Sequence, residues 1–376
     1  MYAQIPNQFM KATTVLILVV AFAFDTMAQT KHVSKWIVEN YLFDFSTNPV
    51  TIQQLEPPFY DTENKRKSMY VDADGAIRLV VVGSALYDGK GNKIQYAEVE
   101  NINFSYLIPM PNNDNIICCI GEGTLCKIDI NKNEIISVEK NEAFQNIHPV
   151  YNADCSGIWL IQYDGKSINR QLLTSNGIIQ AHNTPLSNND YPKNKGWKLS
   201  WNCKYYTGCD RIGTNYQNDG IYFGLFNKRT ATFKLTATHT FEGKTVIASA
   251  FSPDNSMVYY AVRKNHEVEI VEIPIVNDTP DFENVKEICQ FSLKSPLLLT
   301  MHFGIDGRLY IFDKKNIGVV EFDNNGHSSF TKNILTLNTN TPALSWFSYL
   351  YDWYSDDYCN NTPCPEMPAP KIIMED

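Results

Sequence analysis

The sequence predicts an all-β fold, a β-propeller of about seven four-stranded blades, with a six-bladed ring as the alternative. Three observations carry that prediction. A turn-and-strand unit recurs around Asp74, Asn113, Asp154, Asn202, Asp254 and Asp306, at intervals of 39, 41, 48, 52 and 52 residues. The runs after these turns are rich in aromatic and β-branched residues, which suit a pleated, half-buried surface. No long window carries the 3.6-residue apolar period of an amphipathic helix.

The chain starts with an address. From Met10, "MKATTVLILVVAFAFDTMAQ" places Lys11 before a twelve-residue apolar run, Thr13 to Phe24, followed by Thr26-Met27-Ala28. A charged start, a short apolar core and small residues make a secretory signal peptide, assigned to residues 1–28. Twelve residues are too few for a permanent span, which needs about 20. With the signal removed, an exported chain with no membrane span is expected, in the periplasm, at the cell surface or outside the cell.

Residues 29–355 are read as a single propeller domain. "SMYVDADGAIRLVVV" supplies a strand, the turn Asp72 to Gly75 and a second strand, and "SYLIPMPNNDNIICCI" repeats the form. "HPVYNADCSGIWLIQY" is the third unit, "KLSWNCKYYTGC" a looser fourth, and "SAFSPDNSMVYYAV" and "TMHFGIDGRLYIF" are the clearest two. Asp, Asn and Gly are the residues that tolerate positive φ in tight hairpins. Further turns are expected at Asn131 to Asn133, Asp164-Gly165 and Asn324 to Gly326. The N-terminal run from Tyr41 to Leu55 and the strand-like "ALSWFSYLYDWY" around Trp346 each fall short of a blade, and joining them would close the ring. The segments from His182 to Trp197 and from Val276 to Glu287 read as long loops, and residues 356–376 as a flexible Pro-rich acidic tail.

Export changes how the nine cysteines are read, because disulfides persist outside the cytosol. A hairpin centred on Glu122 would set Cys118 opposite Cys126. One centred on Tyr206 would set Cys203 opposite Cys209, and Cys359 with Cys364 would close a third loop. Buried free thiols are the alternative.

"FSPDNSMVYYA", "GIDGRLYIF" and "VDADGAIRLVVVGSALYDGKGNKI" resemble the N-terminal, WD40-like propeller of exported Bacteroidetes proteins of the gliding-motility-associated, type B sorting-domain family. The matching positions are Asp74-Gly75, Tyr87-Asp88 and Gly91-Asn92, then Ser252-Pro253-Asp254, then Gly304, Asp306, Gly307, Leu309 and Tyr310. The resemblance covers Phe43 to Trp353 and implies a propeller working in the cell envelope. Proteins of that family continue into further domains with a sorting signal, and this chain ends at Asp376, so a periplasmic stay stands beside surface display.

The residues themselves point to binding rather than catalysis. Nucleophile elbows, zinc-protease helices, phosphate loops and dinucleotide fingerprints are absent from the text, so no residue is assigned to catalysis, to a cofactor or to a metal. Asp72 and Asp74 have the spacing of calcium ligands but lack the distal glutamate of a full loop, and read as a hairpin turn. Asp356-Asp357 reads as a solvated acidic pair. His148 and His302, near inner strands, are expected to be packed. Tyr351 to Tyr354 and Trp197 with Trp201 are candidate platforms for a sugar or peptide, or filling between blades. A net charge of −9 with scattered Lys and Arg argues against nucleic acid. The expected role is an exported non-catalytic binding or scaffold module for an envelope protein or polysaccharide. The alternative is a propeller hydrolase or lyase acting on glycans or lactones.

Overall fold

Each turn-and-strand unit proves to be the inner hairpin of a blade. The computed structural model describes residues 35–336 apart from 39, 61–66, 73, 95–101, 103–105, 112, 142–143, 145–146, 155, 164–166, 186–196, 211–219, 293–298, 314–315 and 324–327. Their strands form seven antiparallel sheets arranged as a seven-bladed propeller. No helix among them is long and apolar enough to cross a membrane.

Blade 1 holds β1 (Lys35–Val38), β2 (Tyr41–Asp44) and β3 (Thr51–Gln54). Blade 2 holds β4 (Lys67–Val71), β5 (Ile77–Val82), β6 (Ala85–Asp88) and β7 (Lys93–Ile94). Blade 3 holds β8 (Tyr106–Met110), β9 (Asn113–Gly121), β10 (Thr124–Asp129) and β11 (Glu134–Lys140). Blade 4 holds β12 (Ile147–Tyr151), β13 (Gly157–Tyr163), β14 (Ser167–Thr174) and β15 (Gly177–Pro185). Blade 5 holds β16 (Lys198–Leu199), β17 (Tyr205–Asp210), β18 (Gly220–Asn227) and β19 (Thr232–Thr240). Blade 6 holds β20 (Thr245–Phe251), β21 (Met257–Lys264), β22 (Glu267–Val276) and β24 (Lys286–Ser292), with a short β23 (Thr279–Pro280) paired to the far end of β22. Blade 7 holds β25 (Thr300–Phe303), β26 (Leu309–Phe312), β27 (Asn316–Phe322) and β28 (Ser328–Thr336).

The first strand of each blade lies innermost, as the contacts of β1 with β4, β4 with β8 and β20 with β25 require. A sheet cannot bury both faces alone, and radial stacking does it. The buried side chains accordingly fall between blades. Leu42, Leu55 and Met69 join blades 1 and 2, and Phe223, Phe251 and Tyr260 join blades 5 and 6. Met301, Leu309 and Tyr259 join blades 6 and 7. One continuous cluster runs through blades 2 to 5. The ring closes where Trp36, Phe43 and Phe45 of blade 1 meet Tyr310 and Phe312 of blade 7.

Blade 1 had no turn marker because β1 and β2 are joined through Asn40 with almost no loop. The three strands described for it come from the N-terminal side. The strand expected around Trp346 lies outside the described residues, as do Tyr351 to Tyr354, Cys359, Cys364, Asp356-Asp357, the signal peptide and the tail.

The outer rim shows a second regularity. Pairing between the third and fourth strands slips by one residue in blades 3, 4, 5 and 6, leaving Ile136, Ile179, Thr236 and Ile288 in turn as the extra residues. In blade 7 the slip is larger and falls opposite Gly318. A bulge re-aims the side chain it carries. That accounts for Ile136 and Ile179, which are 53% and 63% exposed.

The cysteine expectation needs correcting. The β9–β10 turn is the pair Glu122-Gly123, both at positive φ (46° and 77°), so its centre lies half a residue beyond Glu122. That sets Cys126 opposite Cys119 and Lys127 opposite Cys118. A one-residue slip moves a side chain to the other face, so Cys118 and Cys126 sit on opposite sides of the sheet. The hairpin centred on Tyr206 does not exist, because Tyr205–Asp210 is one continuous strand and Cys203 sits before it in the turn at φ 50°. Cys118, Cys119, Cys126 and Cys203 are thiols in no disulfide and fully buried, and Cys289 is likewise a thiol and half-buried. Burial pushes the Cys118 and Cys126 thiols up to about 12, which makes them inert. The native protein is therefore expected to leave these four buried thiols unalkylated. Denaturant alone, without reductant, should make all of them react, as read by mass spectrometry. A requirement for reductant at any of them would reinstate a disulfide.

Candidate functional site

The loops that join first to second and third to fourth strands emerge on one face of the ring, and their chemistry repeats. In blades 4, 5 and 6 the turn is opened by Asn152, Ser200 or Ser252, whose backbone N–H donates to the carbonyl five residues on at 2.9–3.0 Å. The side chain of the same residue accepts the N–H of that fifth residue: Gly157 at 3.2 Å, Tyr205 at 2.9 Å and Met257 at 2.9 Å. Two positions further, Asp154, Asn202 and Asp254 accept the N–H of Ser156, Lys204 and Ser256 at 3.1, 2.9 and 3.0 Å. Asn113 and Asp306 do the same for Asn115 and Arg308, both at 3.2 Å. These short polar side chains replace the turn's missing backbone partners, which is why Asp, Asn and Ser occupy these positions.

Blade 2 departs by one step. The acceptor there is Asp72, which takes the N–H groups of Asp74 and Ala76 at 3.0 and 2.9 Å and pairs with Arg78 at 3.1 Å. Asp72 thus works as the hairpin turn residue that the sequence suggested. Asp88 plays the same part between β6 and β7, accepting from the N–H of Lys90 and of Asn92 at 2.9 and 2.8 Å.

Neighbouring turns are tied together. Asn133 Nδ2 donates to Asp88 at 3.2 Å and Arg78 Nη2 to Asn131 at 3.2 Å, joining blades 2 and 3. Trp159 Nε1 donates to the Lys228 carbonyl at 2.8 Å, joining blades 4 and 5. The Asn202 N–H donates to Asn255 at 3.1 Å, joining blades 5 and 6. The result is a stiff face whose anions are used structurally.

Protonation follows from these bonds. Burial alone would push Asp88 and Asp254 upward, but donors from Asn92 to the first, and from Ser252 and Ser256 to the second, hold both carboxyls below the ordinary range. The Ser156 hydroxyl and N–H lower Asp154 in the same way. Asp306 is the opposite case. Burial raises its carboxyl, and this outweighs the hydrogen bond it accepts from the Tyr310 hydroxyl at 2.8 Å. A raised carboxyl lends stability only while it is protonated, and that contribution is lost as pH rises through its value. Asp306→Asn keeps an acceptor for the Arg308 N–H and offers its amide N–H to the Tyr310 hydroxyl oxygen, and is expected to match or exceed the parent's melting temperature near neutral pH. The advantage should disappear below about pH 4, where the parent carboxyl is also neutral. A variant that melts lower at every pH would contradict this.

Around the axis, Lys198 of β16 donates to the Met301 carbonyl of β25 at 2.8 Å, linking blade 5 to blade 7. An innermost strand offers unpaired backbone groups to the channel, and an ammonium is a suitable donor for one of them. Lys67 of β4, 6% exposed, donates to Asn40 Oδ1 of blade 1 at 2.7 Å. Neither lysine was singled out in the sequence. The only local signal was a Lys two residues before a turn opener (Lys198) or at the head of a buried strand (Lys67).

His148 and His302 sit on inner strands as packed residues. Burial pushes His148 down to about 4 and lowers His302 strongly, with Lys198 adding to the second effect. His148 packs on Trp197 at 4.4 Å between ring centroids. Of the two uses expected for Trp197, the structure shows filling and not a platform: it is 2% exposed and lies in the seam between blades 4 and 5. Trp201 packs on the cores of blades 5 to 7. The Val276 to Glu287 loop is likewise ordered, and carries β23. Among the described residues no group of three or more His, Cys, Asp or Glu is placed to hold a metal ion.

No protein family and no curated protein matches the chain. Among solved structures it is similar to a hydrazine synthase of Kuenenia stuttgartiensis, at 11% identity and TM-score 0.43, covering 81% of this chain and 96% of that one. It is also similar to a functionally unknown protein of Desulfotomaculum acetoxidans, at 15% identity and TM-score 0.41, covering 72% and 77%. Hsv2 of Kluyveromyces lactis is similar at 14% identity and TM-score 0.39, covering 68% and 93%.

Proposed function

We propose that the protein is an exported, non-catalytic β-propeller that serves as a binding or scaffold module for a protein or glycan of the cell envelope. The reading extends to an address in the periplasm, at the surface or outside the cell, and to kinship with the gliding-motility-associated, type B sorting-domain proteins. The observation that carries it is the stiff turn face. Its carboxylates are committed to backbone donors and to neighbouring blades, so they hold loops in place for contact. The signal-peptide pattern at residues 10–29 supports export.

The test is affinity capture of the tagged mature protein from its own envelope after mild cross-linking, read by mass spectrometry and then by binding of purified candidates. A stoichiometric protein partner, or a polysaccharide retained by the pure propeller, is the expected result. Steady turnover of a defined substrate would overturn it.

One observation favours the rival reading of a hydrolase or lyase acting on glycans or lactones. Asp306 is held above the ordinary carboxyl range beside the Tyr310 hydroxyl, the state a general acid needs. On the binding reading its neighbours explain that state, since Tyr310 is packed into the ring-closing aromatic cluster. Turnover abolished by Asp306→Asn would favour the rival.

A further inference from the structure

Strand β22 is longer than its partner needs. Pairing with β21 ends at Met257 opposite Pro274, yet β22 continues to Val276 and folds back through Asn277-Asp278 into β23. Both turn residues have positive φ, 50° and 64°, the backbone of a tight two-residue hairpin. This extension leans over blade 5, and is held there at two places. On one side Asp278 accepts from Lys204 Nζ at 2.5 Å and from the Tyr205 hydroxyl at 2.7 Å. On the other, Phe282 lies flat on the imidazole of His239 in β19, with centroids 4.3 Å apart and planes 7° apart. Phe241 meets the same imidazole edge-on at 4.9 Å. Phe282, Val285 and Phe241 all rest on the apolar core between blades 5 and 6.

We propose that the segment from Val276 to Val285 is an acid-releasable strap, which clasps blade 5 while His239 is neutral and lets go when that imidazole takes up a proton. One face of the imidazole lies on the Phe282 ring and Phe241 meets it edge-on, and a charge placed there gives up part of its water to hydrocarbon. The charged groups nearest in the chain to the two packed rings are Asp281 and Glu283 on the strap and Glu242 after Phe241, and Asp281 accepts from the Glu283 N–H and from Asn284. Lys244 is engaged by Glu269 at 2.5 Å. Burial lowers the imidazole's proton affinity. Lys204 and Tyr205 keep Asp278 ionised below the ordinary carboxyl range, so that end holds longer as pH falls. The first element to yield on acidification is therefore the His239–Phe282 stack. Release would bare Phe241, Phe282 and Val285 at the rim.

One force opposes this. A cation over an aromatic face is attracted by the ring's electron-rich face. The experiment decides between the two. Hydrogen exchange of the full chain would be followed at about pH 7 and about pH 5, corrected for intrinsic rates, with β21 as internal reference. Protection of the strap is expected to fall about tenfold at the lower pH, while β21 is unchanged. His239→Phe keeps a ring in the stack, and should hold the strap equally at both pH values. A parent strap that tightens or does not change on acidification overturns the proposal, as does a His239→Phe strap that loosens as much as the parent. Should that variant fail to fold, Asp278→Asn serves instead. It is expected to keep the parent's pH dependence, and loss of that dependence would place the switch on Asp278 and overturn the assignment to His239.

Discussion

Replacing Trp36 with alanine is expected to lower the unfolding free energy by about 3–5 kcal/mol, the range for truncating a fully buried large aromatic. Trp36 has no exposed surface, and its indole lies 4.4 Å from Phe45 and 5.5 Å from Tyr310 between centroids. Phe45 in turn meets Tyr310 at 5.6 Å, edge to face. These rings are where the first blade meets the last, so the substitution removes the centre of the seam that makes the sheets a ring. Stacked sheets without closure would expose the facing sides of blades 1 and 7. Denaturant midpoints at constant slope measure the effect. Trp36→Phe, which restores most of the volume, should recover more than half of the loss. A cost below about 1 kcal/mol for Trp36→Ala would mean that closure rests elsewhere.

The second large effect is expected at Gly224, with no change in polarity. A Cβ built there would lie 2.3 Å from the carbonyl oxygen of Lys234 and 2.5 Å from the ring of Tyr206. Both neighbours are fixed: Lys234 is in the paired strand β19, and Tyr206 is fully buried in the seam between blades 4 and 5. Gly224 also sits at the register slip opposite Thr236, where the strands bend toward each other. Gly224→Ala must move either a strand or a core ring, a cost of about 1–3 kcal/mol or more. Gly220→Ala in the same strand is the control, because a Cβ there meets nothing closer than 3.4 Å. Equal stability of the two variants would show that β19 yields easily.

The sequence announced the blades through their inner turns, and the reason is chemical. A first-to-second-strand loop of four to six residues needs side-chain acceptors for its own amides, so Asp154, Asn202, Asp254 and Asp306 stand out as markers. Blade 1 escaped because its hairpin at Asn40 is too short to need one. Asp74 marked the right turn, although Asp72 does the accepting there.

Register was less legible. The Glu122-Gly123 turn differs from a turn centred on Glu122 by half a residue, and that is enough to put Cys118 and Cys126 on opposite faces. Trp197 illustrates a different limit. An indole suits a ligand platform, but the positions of His148 and Phe233, distant in sequence, reveal that it is covered. The axial lysines belong to the same class, since Lys198 acquires its role from a carbonyl two blades away.

The bulged rim bears on how this molecule behaves in company. The last strand of a blade ends in a row of unsatisfied amides and carbonyls, so a ring of sheets offers many sites where another chain could add a strand. In blades 3 to 7 the extra residue interrupts that row, and a visiting strand would lose its pairing after a few residues. Side-by-side strand pairing between crowded copies is therefore disfavoured at these five edges. The faces, by contrast, make contacts through side chains, which depend on the identity of the partner.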